Sequence, residues 1–204
     1  MRVFNTRSGM TLLEVLLAAT LFSILIYKAV MTLSTAMEAS STEMTDIVVE
    51  DHARKVLHQV AKAVMSSDRE TLNPATPAPF SSDDIRYRVN LGIQDGAVVW
   101  SDPELIALEE DEERVFWARN PDSPESVRVV WTSLVSPYLE GEIPNGMDDN
   151  GNGLIDERGL SFDVDRNAIT IRLTLDRTVD GRAITKTVET TVTCRNLEPD
   201  AAAP

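Results

Sequence analysis

Two places in this chain gather side chains whose types and spacing can do chemistry. The first is Asn145-Gly146-Met147-Asp148-Asp149-Asn150-Gly151-Asn152-Gly153-Leu154-Ile155-Asp156-Glu157. A hard cation such as Ca²⁺ takes roughly six to eight oxygens at about 2.4 Å, from a loop able to wrap round it. Asp148, Asn150 and Asn152 alternate, so their oxygens can converge on one point. Gly153 permits a sharp turn, Leu154 can lend its carbonyl, and Asp156 supplies another oxygen. Ile155 is then expected to point inward as the loop's apolar anchor. The second place is Glu14, a carboxylate inside an apolar run of membrane length. A charge there is costly and normally has a dedicated partner.

The spacing of the loop is similar to the D-x-[DN]-x-[DN]-G pattern of EF-hand, dockerin and thrombospondin-repeat calcium loops. It departs from the EF-hand in two ways. Gly159 stands where the EF-hand has its bidentate Glu, and Glu157 would need a different geometry to replace it. No helix leaves the loop, because residues 160–164 read as a strand. The resemblance therefore implies a shorter EF-like loop holding Ca²⁺ through Asp148, Asn150, Asn152, Leu154 and Asp156. The competing reading is a plain turn, since three Asn-Gly steps form turns without any metal. Four oxygen side chains on the required offsets favour the cation. A loop this polar cannot offset its ordering entropy by burial, and a metal would.

Glu14 belongs to Arg7-Ser8-Gly9-Met10-Thr11-Leu12-Leu13-Glu14-Val15, a short basic leader ending in Gly and followed by an apolar segment. This stretch resembles the class III signal of type IV pilins and type II secretion pseudopilins. The resemblance implies that a prepilin peptidase cuts between Gly9 and Met10 and methylates the Met10 amine, leaving Glu14 as the fifth residue of the mature chain. That family more often begins with Phe, and Met10 leaves the chemistry intact. The rival is an ordinary secretory signal, whose apolar segment precedes the cleavage site and is removed. Here the apolar run follows Gly9 and would be kept. Thr11-Leu12-Leu13-Glu14-Val15-Leu16-Leu17-Ala18 looks most like the J-type minor pseudopilins, and W-type pilus minor pilins share much of it. K-type minor pseudopilins characteristically lack the glutamate. The implied partners are other pilin or pseudopilin subunits, the peptidase and the inner membrane, and the implied role of Glu14 is assembly.

These residues need particular elements to position them. Residues 10–33 are mainly apolar and about as long as a bilayer requires, roughly 20 residues. Arg2 and Arg7 before them keep the N-terminus cytoplasmic and send the remainder towards the periplasm. Neither Gly nor Pro occurs from Met10 to Asn73, which predicts one helix to about Ser66, on the order of 85 Å long. Its apolar residues Val30, Leu33, Met37, Met44, Ile47 or Val48, Val49, Ala53, Val56, Val60 and Val64 recur at helical spacing. This predicts an amphipathic stalk over 34–72 with one buried stripe, the seam being too irregular for a coiled coil. Asn73–Pro79 is a Pro-rich break, 80–196 a periplasmic β-rich domain, and 197–204 a flexible tail. Period-two alternation at Ile85/Tyr87/Val89, Val127/Val129/Trp131 and Ile169/Ile171/Leu173/Leu175 predicts half-buried antiparallel strands. Residues 160–194 read as a three-strand meander with turns near Asp165–Asn167 and Asp180-Gly181. The expected class is α+β, a long N-terminal helix on an antiparallel sheet, the order of the pilin fold.

Composition narrows the function. The 204 residues carry a formal charge of −14, and loss of the two leader arginines takes it to −16. Such acidity argues against nucleic acid as a partner, because phosphate binding needs a basic surface. The sole cysteine, Cys194, reads as a buried small hydrophobe. His52 and His58 lie six apart on the stalk, on different faces, and read as solvated or packed residues rather than a metal pair. The acidic run Glu109–Glu113 reads as a solvated surface, with a docking site for a basic partner as the alternative. No nucleophile–base set, phosphate loop or zinc spacing appears, so catalysis is not expected. The expected function is a prepilin-like minor pseudopilin, a single-pass inner-membrane subunit of a type II secretion pseudopilus. A W-type pilus minor pilin and an anchored calcium-dependent adhesin are the alternatives.

Overall fold

A computed structural model describes residues 10–67, 69, 72–73, 78–109, 111, 113–165, 168–179 and 181–194. Gly9 and the rest of the expected leader, residues 74–77, Glu110, Glu112, Arg166, Asn167, Asp180 and the tail lie outside the described residues. The chain divides into two compact units, one ending at Thr45 and the other beginning at Asp46. Helix α1 (Leu12–Met65) contributes to both.

In the first unit, α1 opens with a reciprocal cap. The Thr11 hydroxyl accepts the Glu14 N–H at 3.3 Å, and the Glu14 carboxylate accepts the Thr11 N–H at 3.4 Å. This capping box satisfies two backbone donors that a helix start leaves unpaired. Further along, hydroxyls bond back to carbonyls three or four residues earlier: Thr20 to Leu17, Ser23 to Ala19, Thr32 to Lys28 and Thr35 to Met31. An apolar helix can thereby carry polar side chains without leaving them unsatisfied. Residues 10–41 are all exposed, and α1 is long and apolar enough to cross a membrane.

In the second unit, the buried face of α1 comprises Val49, Ala53, Val56, Leu57, Val60, Ala61 and Val64. Steps of three and four keep these on one side. The expected stripe therefore starts only at Val49, and Met37, Met44, Ile47 and Val48 are exposed. The helix closes at Met65, short of residue 72. Ser66 and Ser67 turn the chain by donating both N–H and hydroxyl to the carbonyls of Ala63 and Val64.

Among the described residues nine strands follow: β1 (Asp84–Tyr87), β2 (Asn90–Gln94), β3 (Ala97–Trp100), β4 (Glu104–Glu109), β5 (Arg114–Arg119), β6 (Val127–Thr132), β7 (Leu160–Asp165), β8 (Ala168–Val179) and β9 (Arg182–Thr193). They form an antiparallel sheet β1-β4-β5-β6, the hairpin β2-β3, and the expected meander β7-β8-β9. A two-way bridge between Ser82 and Phe162 joins the larger sheet's leading edge to β7. The α1 stripe shares one core with Ile85, Ile106, Phe162, Ile169, Ile171, Leu173 and Leu175. Cys194 is buried in that core. Lys186 pairs with Asp46 at 2.7 Å and His52 meets the Thr132 hydroxyl at 3.1 Å, tying the helix to β9 and β6. The architecture is α+β, one long N-terminal helix with antiparallel sheets.

Strand β6 departs from its expected alternation. Val127, Val129 and Val130 are all exposed, and the strand turns inward only at its end, where Thr132 is buried. β6 is the sheet's edge, so one flank has no neighbouring strand to cover it. The acidic run also resolves differently at its start. Glu109 ends β4 half-buried, accepting from Arg114 at 2.9 Å and Arg128 at 2.5 Å, while Asp111 and Glu113 are exposed.

Candidate functional site

The chain from β6 to β7 makes a long excursion whose two ends are tied together. A bridge pairs Tyr138 with Arg158, the Leu139 N–H donates to the Glu157 carbonyl at 2.9 Å, and the Gly159 N–H donates to Pro137 at 3.3 Å. Gly159 is pressed so closely on this neck that an added Cβ would lie 1.8 Å from the Ser136 carbonyl oxygen. This explains why no glutamate stands there. Glu157, two residues earlier, is fully buried.

Between those ends the loop is a succession of side-chain-capped turns. Asp148 accepts the N–H groups of Gly151, Asn152 and Gly153 at 2.6, 3.2 and 2.8 Å. Asn150 accepts from Asn152, and Asn152 from Leu154, each at 2.9 Å. Asp156, at φ 50°, accepts from Asn145 at 3.0 Å and from Gly146 at 2.9 Å. Gly151 and Gly153 take φ values of 77° and 90°, which suit glycine. The apolar anchor is Leu154, only 3% exposed, rather than Ile155. Ile155 is half-buried and donates its N–H to Pro79.

The sequence-derived ligand set is therefore partly brought together. The Asn150 and Asn152 amides both reach Glu157, at 3.5 Å and 2.9 Å. Asp148 lies under the backbone of 151–153, and Asp156 is committed to the turn at Asn145-Gly146. No group of three or more His, Cys, Asp or Glu side chains converges among the described residues.

Two acids are drawn in that the spacing did not select. Arg172 reaches Glu157 at 3.4 Å and is shared with Glu189 at 2.5 Å. Burial pushes the Glu157 carboxyl above its ordinary pKa, the Asn152 amide and Arg172 pull it back, and Glu142 pushes it up again by like-charge repulsion. Glu142 is 8% exposed and accepts the Asn150 N–H at 3.1 Å through Oε1. Its Oε2 is enclosed and has no hydrogen-bond partner among the described residues. Glu157 was visible in the sequence only as a misplaced twelfth ligand. Glu142, eight residues before Asn150 in a stretch without a motif, carried no signal.

The second candidate, Met10 and Glu14, stands in the other unit. Met10 is exposed immediately before the cap, and Glu14 engages Thr11 as described. Compared with known proteins, the chain matches no family model, no curated protein and no solved structure.

Proposed function

We propose that this chain is a pilin-like assembly subunit, cut after Gly9, methylated at Met10 and held in the inner membrane by the first part of α1. The subunit is of the minor pseudopilin kind, serving a type II secretion pseudopilus. One observation carries the reading. A membrane-length apolar stretch, residues 10–33, lies exposed at the start of α1 and bears a single carboxylate, Glu14, at the fifth position after Gly9. Exposed apolar surface on that scale needs lipid or partner helices to cover it. The α+β unit from Asp46 onward follows the order of a pilin-like fold, with α1 continuing into a sheet-backed core.

In this reading Glu14 has two roles in succession. Before assembly it caps its own helix through Thr11. In the filament its charge pairs with the Met10 ammonium of a neighbouring subunit. A correct axial stagger satisfies both charges, and a wrong one leaves them bare in a low-dielectric setting.

Two variants separate these roles, since glutamine can close a capping box but carries no charge. Glu14→Ala and Glu14→Gln should both insert, and both should lose crosslinking to partner subunits and the secretion phenotype. Normal assembly by Glu14→Gln alone would show that the cap, not the charge pair, is what matters. Normal assembly by both would remove Glu14 from the mechanism.

A further inference from the structure

We propose that Glu142 and Glu157 anchor a site for one hard divalent cation of the calcium type, with Asn150 and Asn152 supplying neutral oxygens. The site is in the loop that the spacing marks, but its acidic ligands differ from Asp148 and Asp156. It stands apart from the assembly reading, because it needs neither the anchor nor a partner subunit.

The central observation is Glu142. A carboxylate more than nine-tenths buried, with one oxygen enclosed and unpartnered, costs far more than one at the surface unless something positive compensates it. A second carboxylate, Glu157, is fully buried at the same loop, and both acids bond Asn150: Glu142 to its N–H, Glu157 to its amide. The guanidinium nearby, Arg172, reaches Glu157 at 3.4 Å and makes its shorter bond to Glu189. That one guanidinium is thus shared between the buried Glu157 and the exposed Glu189, and among the described residues it makes no hydrogen bond to Glu142. A bound divalent ion would meet the open oxygen of Glu142 and neutralise both buried charges.

The amides fit this assignment. Asn150 and Asn152 turn their NH₂ groups to Glu157. Rotation about Cβ–Cγ exchanges N and O at nearly constant shape, so each can present oxygen to an ion held there, giving up one turn hydrogen bond. Asp148 and Asp156 already serve backbone N–H groups and have the separate task of shaping the loop.

The test is a calcium titration of the full chain in detergent at neutral pH, followed by calorimetry and by thermal melting with calcium or chelator. The wild type should bind one Ca²⁺ and melt higher with it. Glu142→Gln and Glu157→Gln should each weaken binding by tenfold or more. Glu142→Gln should melt in chelator no lower than the wild type, because an uncompensated buried charge has gone. Asp156→Asn should keep affinity within about threefold. Absence of wild-type binding at millimolar calcium would overturn the site and leave a proton shared by the two acids as the compensating charge. Undiminished binding in both glutamine variants, with loss in Asp156→Asn, would return the ligands to the Asp148–Asp156 set.

Discussion

At Gly159 the absence of one methyl group decides whether the neck of the loop can close. An alanine Cβ would lie 1.8 Å from the Ser136 oxygen and 2.8 Å from its carbonyl carbon, both backbone atoms that cannot swing aside. The same residue accepts the Thr174 N–H at 2.7 Å, so displacing it also disturbs β8. Gly159→Ala should therefore lower stability by about 3 kcal/mol, at the upper end of overpacking costs, in a urea melt of the full chain. A change below roughly 0.5 kcal/mol would mean the neck relaxes freely. Glu109 allows a pH test. Hydrogen bonding from Arg128, helped by both arginine charges, holds its carboxyl below the ordinary value of 4.5. A depressed carboxyl stabilises the fold above the unfolded pKa and loses that contribution as pH falls through the folded one. Glu109→Gln should flatten part of the acid limb below about pH 4.5 and leave the slope near neutrality unchanged; equal acid limbs would contradict the pairing. Residues of this kind were unequally legible. Asn150 and Asn152 stand out by spacing, whereas Glu142 and Gly159 acquire meaning only when the neck brings Ser136, Pro137 and Glu157 together.

Helix α1 shows how far pattern carries an element. Val60 is fully buried at the centre of the stripe, and Ile47, two residues before the stripe begins, is 61% exposed. Val60→Ala should cost about 2 kcal/mol, from two lost methyl groups and the cavity they leave. Ile47→Ala should cost less than about 0.5 kcal/mol in the same melt. Equal losses would mean that the stripe extends further towards the N-terminus than Val49. The helix was readable because a long segment without Gly or Pro has few alternatives. Its stripe was overextended because Val30, Leu33, Met37 and Met44 share the spacing but are exposed. The β8 alternation was equally plain, with Ile169, Ile171, Leu173 and Leu175 fully buried on one face of the strand between β7 and β9. Strand β6 has the same pattern at a sheet edge, where alternation alone does not specify cover. The Arg128 guanidinium, 3.6 Å from the Phe116 ring centre, is a cross-strand contact that periodicity cannot reveal.

Over the whole molecule, an acidic chain of formal charge −14 combines an uncovered apolar helix with a core-bearing α+β unit. The division at Thr45–Asp46 separates a largely exposed helical segment from a unit that buries its own core. The proposed function requires the chain to stay in the membrane after removal of residues 1–9. Intact-mass measurement on protein extracted from membranes of cells with an active prepilin peptidase tests it most directly. The expected product begins at Met10, carries one methyl group on its amine, and keeps all of α1. A chain that still contains residues 1–9, or one cut beyond the apolar run and released from the membrane, would contradict it.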